Sequence, residues 1–159
     1  MRRAALFFLL FASFDAQAAT TPGMQGFANV RHCIMENDAN YCSSIITPDS
    51  QEMFKRFASY KLMPCLPSDF NYVKEEAKAE RITVTANTPA DNGEVYIIRL
   101  VFNTTDDGPK LSLPASFERG FGKNWQDKIE MSEQLYLMMK QNMGDQLTCD
   151  MLNGLVKPK

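Results

Sequence analysis

The first eighteen residues set the terms for the rest of the chain. Arg2 and Arg3 give a positive start, Ala4 to Phe14 an apolar core, and Ala16-Gln17-Ala18 a small-x-small cleavage site. These are the three parts of a secretory signal peptide. The apolar run falls well short of the roughly 20 residues that a membrane-spanning helix needs, so the expectation is cleavage near Ala18 and no stable membrane insertion. No cysteine stands at the cut, which leaves lipoprotein acylation without its thiol. Residues 19 to 159 then form a single globular domain that works in the periplasm or outside the cell.

Export changes how the cysteines are read. All four, Cys33, Cys42, Cys65 and Cys149, lie beyond the leader, and an even number in an oxidising compartment points to two disulfides. Three pairings are open. Cys33 with Cys42 closes a local loop, and Cys65 with Cys149 ties the middle of the chain to its end; this is the pairing expected. Zinc ligation needs thiolates and imidazoles at short spacings, and the chain has no CxxC and one histidine. No metal or other cofactor is expected.

The pattern of apolar residues gives the fold class. Phe27, Val30 and Ile34 fall at helical spacing, and Glu36-Asn37-Asp38 reads as a polar turn. Thr47-Pro48 starts a second helix, in which Met53, Phe54, Phe57 and Ala58 form one stripe ended by Pro64 and Pro67. From Pro67 to Glu80 helix-forming Lys, Glu and Ala compete with the strand pattern beside them. Residues 81 to 86 read as a strand, Asn87 to Gly93 as a hairpin loop, and Glu94 to Phe102 as the strongest strand. That strand carries apolar residues on both faces, interrupted by Arg99, and so reads as central and covered on both sides. Lys110 to Leu113 gives a third short strand. Helices resume at Trp125, with Ile129, Leu135, Met138, Met139 and Met143 expected to pack on the sheet, and a last helix carries Leu147, Met151, Leu152 and Leu155. The class is α+β: short N-terminal helices, an antiparallel sheet of three or more strands, and C-terminal helices packed on it.

The order of short helices, the polar stretch Asn37-Asp38-Ala39-Asn40, the segment Ile45-Ile46-Thr47-Pro48-Asp49-Ser50, another helix and a curved antiparallel sheet resembles the NTF2-like class of small exported domains. The resemblance covers roughly residues 27 to 102, and the chain departs from the class by ending in helices instead of a long strand. It implies a cone-shaped domain with a pocket between sheet and helices, a frame that serves catalysis, ligand binding or assembly in different members.

Catalytic signals are sparse. The lone histidine, His32, adjoins Cys33, but neighbouring helical positions diverge, and an oxidised thiol is no nucleophile. Gly120-Phe121-Gly122-Lys123 lacks the glycine and the Ser or Thr that a phosphate-binding P-loop requires, with Phe117 and Asn124 in those places. The methionines of the terminal helices have the spacing of a packing face, which is a more ordinary use than copper ligation. A formal charge of -2 gives none of the basic surplus of a nucleic-acid binder.

Two functional readings follow. In the first, the protein is a non-enzymatic module that binds a protein partner in the cell envelope or outside the cell, in an accessory, inhibitory or immunity-type role. Its candidate recognition loop is Phe117, Arg119, Phe121, Lys123 and Trp125, because aromatics and arginine anchor interfaces; the same aromatics could instead enter the core. In the second, a small-molecule-binding domain or minor enzyme uses a pocket lined by Tyr96, Arg99 and Trp125. Arg99 is its best clue, since a cation on an apolar strand face must find a carboxylate, a pocket or solvent.

Overall fold

The computed structural model describes residues 20–60, 69–89 and 95–147. The leader, Cys65, Cys149, the tip of the hairpin expected at Asn87 to Gly93 and most of the last expected helix lie outside the described residues. Helices and an antiparallel sheet make an α+β fold. The helices are α1 (Pro22–Glu36), α2 (Ala39–Ser44), α3 (Gln51–Ser59), α4 (Leu113–Phe121) and α5 (Trp125–Met143); the strands are β1 (Asn71–Lys78), β2 (Arg81–Pro89), β3 (Val95–Thr105) and β4 (Gly108–Ser112). The four strands pair in chain order β1-β2-β3-β4, a simple meander.

α1 starts earlier than its apolar triplet indicates because Thr21 caps it: the Thr21 hydroxyl accepts from the Met24 amide, and Pro22 occupies the first turn. Asn37 ends it in the left-handed region at φ 52°. The expected polar turn lies here, and past it a short helix begins that the spacing does not indicate, since the Asp38 carboxylate accepts from the amides of Asn40 and Tyr41 and opens α2. The Cys33–Cys42 disulfide joins α1 to α2, with the Cα atoms 5.1 Å apart. Closing so short a loop in the unfolded chain is worth about 3 kcal/mol on the loop-entropy account.

α1 lies across one face of the sheet, here called the inner face. Register places Ile82 opposite Phe102, Val84 opposite Leu100 and Ala86 opposite Ile98, and this face meets Phe27, Cys33 and Cys42 with Ile45, Ile46 and Leu111 in one core. Phe102, 1% exposed, is its largest fully buried side chain. α1 comes this close because residue 26 has no side chain: a Cβ on Gly26 would stand 2.8 Å from the Phe102 ring. The segment after α2 closes the free edge of β4, with the Leu111 amide donating to Ile45 O and the Thr47 amide to Leu111 O.

β1 settles the ambiguous stretch as strand, against the helix propensity of its Lys, Glu and Ala residues. Cross-strand pairing with β2 supplies what local preference does not. A bulge between Tyr72 and Lys74 shifts the alternation, so Tyr72, Glu75 and Ala77 face inward while Lys74, Glu76 and Lys78 face outward. The hairpin to β2 turns through Ala79, at φ 52°.

The expectation that β3 is covered on both faces needs correction. Of its inward residues, Phe102 joins the core and Ile98 and Leu100 pack against it, but on the outer face of β3 only Val101 is buried. Val95 and Ile97 are 58% and 59% exposed. α4 packs against β3 where β4 ends. There the Ser116 hydroxyl accepts from the Val101 amide at 2.9 Å and donates to Ser112 O at 2.6 Å, adding one rung to the ladder before the helix turns away.

A second correction concerns residues 117 to 125. The stretch expected as a loop is mostly helix: Pro114 sits in the first turn of α4, where its missing amide costs nothing, and the Ser112 hydroxyl caps that turn by accepting from the Ala115 amide. Only Gly122 to Asn124 separate α4 from α5, with Gly122 at φ 84°.

Candidate binding surfaces

Two surfaces gather the residues singled out by sequence. The first is the corner between α4 and α5. Phe117 is its centre, with ring centroids 6.2 Å from Phe57, 6.1 Å from Phe121 and 5.9 Å from Trp125. The Arg56 guanidinium lies over Phe57 at 5.4 Å and pairs with Glu133 at 3.2 Å. Glu133 also accepts from the Tyr60 hydroxyl, which in turn stacks on Tyr136 at 5.2 Å. Donation to Glu133 holds the Tyr60 phenol above its ordinary pKa, assisted by burial and by the nearby negative charge. Aromatic and charge-assisted contacts thus fasten α3, α4 and α5 together. Phe117 and Trp125 are half-buried in this cluster, whereas Phe121, Arg119 and Lys123 are exposed around it.

α5 leaves this corner with two apolar stripes. Trp125, Ile129, Tyr136 and Met139 share the side that meets α3 and α4 and are half-buried. About a third of a turn away, Met131, Leu135 and Met138 follow one another at i, i+4 and i+7 and are exposed, Met131 by 65% and Met138 by 53%. No residue of this 19-residue helix is buried. The expectation that its methionines are core fillers therefore fails for Met131 and Met138. The helix has apolar residues around more of its circumference than its neighbours cover.

The second surface is the outer face of the sheet. Lys74 of β1, Thr85 of β2 and Arg99 of β3 form one row across the strands, and Glu76, Thr83 and Val101 the next. Lys74 donates to Glu76 at 2.6 Å. That bond, followed by the positive charges of Lys74, Arg119 and Arg99, holds the Glu76 carboxyl below its ordinary pKa. Arg99 from the pocket set and Arg119 from the recognition set thus both act by charge on one carboxylate, which the sequence does not mark out. The signal available was the Lys-x-Glu-x-Lys spacing, which puts three charges on one face of a strand. Tyr96 does not join them: three residues from Arg99 on β3, it faces inward opposite Thr88. Tyr96, Arg99 and Trp125 are not brought together as one lining.

The remaining chemistry-bearing groups have structural roles. His32 is exposed and packs edge-on against Tyr41 at 4.8 Å, and its neighbour Cys33 is held in the disulfide. The buried hydroxyls of Thr47 and Ser50 bond to each other at 2.7 Å, and Ser50 accepts from the Leu113 amide. Among the described residues, no three His, Cys, Asp or Glu side chains cluster as metal ligands, and no helix is long and apolar enough to cross a membrane. The chain matches no known family model, no curated protein and no solved structure.

Proposed function

We propose that this protein is an exported, non-enzymatic module that binds a protein partner through α5. The observation that carries the reading is the Met131, Leu135 and Met138 stripe, exposed on α5 beside the half-buried side that meets the aromatic corner. A helix in water normally covers its apolar residues; apolar residues left uncovered at i, i+4 and i+7 are the pattern by which a helix enters an apolar groove on another protein. Methionine suits such a surface because its unbranched thioether adapts to an irregular partner. The corner gives the helix a firm base, with Phe121 exposed at its near end. The Cys33–Cys42 disulfide fits an oxidising compartment.

The test is a photo-crosslinking residue at Leu135 and, as a control on the outer sheet face, at Thr83, followed by native mass spectrometry of the exported fraction. One defined heterocomplex is expected, crosslinked from position 135, not from 83, and lost in Leu135→Glu while the urea midpoint stays put. A bare monomer with no crosslink from position 135 overturns the reading.

A further inference from the structure

We propose that the outer face of the sheet docks on an anionic lipid surface, independently of the α5 stripe. The face presents Lys74 and Lys78 from β1, Arg81 from β2 and Arg99 from β3, and the charge of Arg119 on α4 acts on the same carboxylate, Glu76, as Arg99 does. Glu76 is the one carboxylate in these outward rows, and Lys74 already occupies it. Among the described residues Lys78, Arg81, Arg99 and Arg119 make no ion pair. In a chain of formal charge -2, this concentration of unpaired cations on one face is local and directional.

Geometry selects the kind of anion. β1 and β3 are two strand spacings apart, about 10 Å, and Lys74 and Lys78 are separated by about 13 Å along β1. A single small anion spans one or two of these cations. A plane of headgroup phosphates meets several of them at once on the part of the face that α4 leaves uncovered, from β1 to the Arg99 end of β3. On β3 the outward row continues from Arg99 to Ile97 and Val95, both more than half exposed. Two protruding apolar side chains beside a basic field are the combination that settles at the boundary between headgroups and acyl chains. An acidic protein segment would use the cations alone and leave Ile97 and Val95 without a role.

The experiment is cosedimentation of the mature protein with phosphatidylcholine vesicles and with vesicles containing phosphatidylglycerol, at low and high salt. Binding is expected only to the anionic vesicles and is expected to fall as salt rises. Each basic residue near an anionic leaflet is worth a factor of about five in partitioning, so Arg99→Glu, which reverses a charge, should reduce it more than tenfold. Ile97→Ser should weaken binding with its salt dependence unchanged, and Leu135→Glu should leave it intact. Urea midpoints for the variants report whether the fold is retained. Equal binding to phosphatidylcholine, no binding to anionic vesicles, or binding that survives Arg99→Glu overturns the proposal. So does displacement from the vesicles by polyglutamate, or by inorganic phosphate, well beyond the loss that sodium chloride causes at the same ionic strength; the first would identify an acidic protein segment as the occupant and the second a small anion.

Discussion

Glu75 and Glu76 are adjacent in β1 and look to opposite sides of the sheet, and the two sides treat a carboxylate differently. Glu75 turns inward, where it accepts from the Thr21 hydroxyl at 2.7 Å and the Tyr72 hydroxyl at 3.0 Å and helps seat the start of α1. Glu76 turns outward among Lys74, Arg99 and Arg119. The same contrast runs along β3, where Phe102 is buried and Ile97 lies open. The inner face is closed by hydrophobic packing and by hydrogen bonds from uncharged hydroxyls. The outer face is closed where α4 packs, at Val101 and Ser112, and beyond it holds cations near one another in water. A face arranged in the second way does little for folding, so its residues are free to serve binding.

The largest expected effect separates the two faces directly. Phe102→Ala removes the largest fully buried side chain of the core and should cost about 3–5 kcal/mol, a large share of the roughly 5–15 kcal/mol that holds an ordinary domain folded. Ile97→Ala, five residues away on the same strand, should move stability by no more than about 0.5 kcal/mol. Urea denaturation of both variants checks this. A large loss from Ile97→Ala would mean that the outer face is covered in solution.

Next in size is the point where the outer side is closed. Ser116→Ala leaves the Val101 amide and Ser112 O without the hydroxyl that bridges them. A buried amide without an acceptor costs about 1–3 kcal/mol, and the loss should appear in the urea midpoint. Hydrogen exchange should show the Val101 amide losing protection ahead of its neighbours. If the exchange pattern does not change, the ladder past β4 is closed by something other than Ser116.

How much of this was legible in the sequence depended on whether the local signal and the tertiary contacts agreed. The α+β order, the second helix and the long β3 were legible because apolar spacing and punctuation pointed the same way. β1 was not: its bulge breaks the alternation after Tyr72, its outward residues are charged, and the turn into β2 is built on Ala79 and Glu80 with no glycine or asparagine to mark it. α4 was hidden because Pro114 reads as the end of a strand when it is also a first-turn residue of a helix. Of the candidate sites, Arg99 and Arg119 were each visible, but their shared action on Glu76 was not, since it depends on α4 packing against β3 and on a register that sequence does not carry. The exposure of Met131 and Met138 was hidden for a related reason: an apolar stripe has the same spacing whether a neighbour covers it or not.

The smallest expected effect sharpens the contrast through pH. Glu76 has its pKa lowered by the bond from Lys74 and by the surrounding cations, so the folded state favours the charged form. Its contribution is present above the ordinary carboxylate value near 4.5 and is lost as pH falls through the lowered one. Tyr72 has its pKa raised by burial first and by its bond to Glu75 second, so its contribution is present below pH 10 and is lost as pH rises through the raised value. The outer face should therefore be felt on the acid limb of the stability profile and the inner face on the alkaline limb. Glu76→Gln should flatten the first and Tyr72→Phe the second, each measured by urea denaturation across pH, with tyrosinate absorbance reporting the phenol. Salt distinguishes them further. The exposed Glu76 contribution rests on charges in water and should shrink at high ionic strength, whereas the Tyr72 contribution, which begins with burial under α1, should persist. If salt removed both equally, the inner side would be as open to water as the outer one, and the distinction between the two faces would fail.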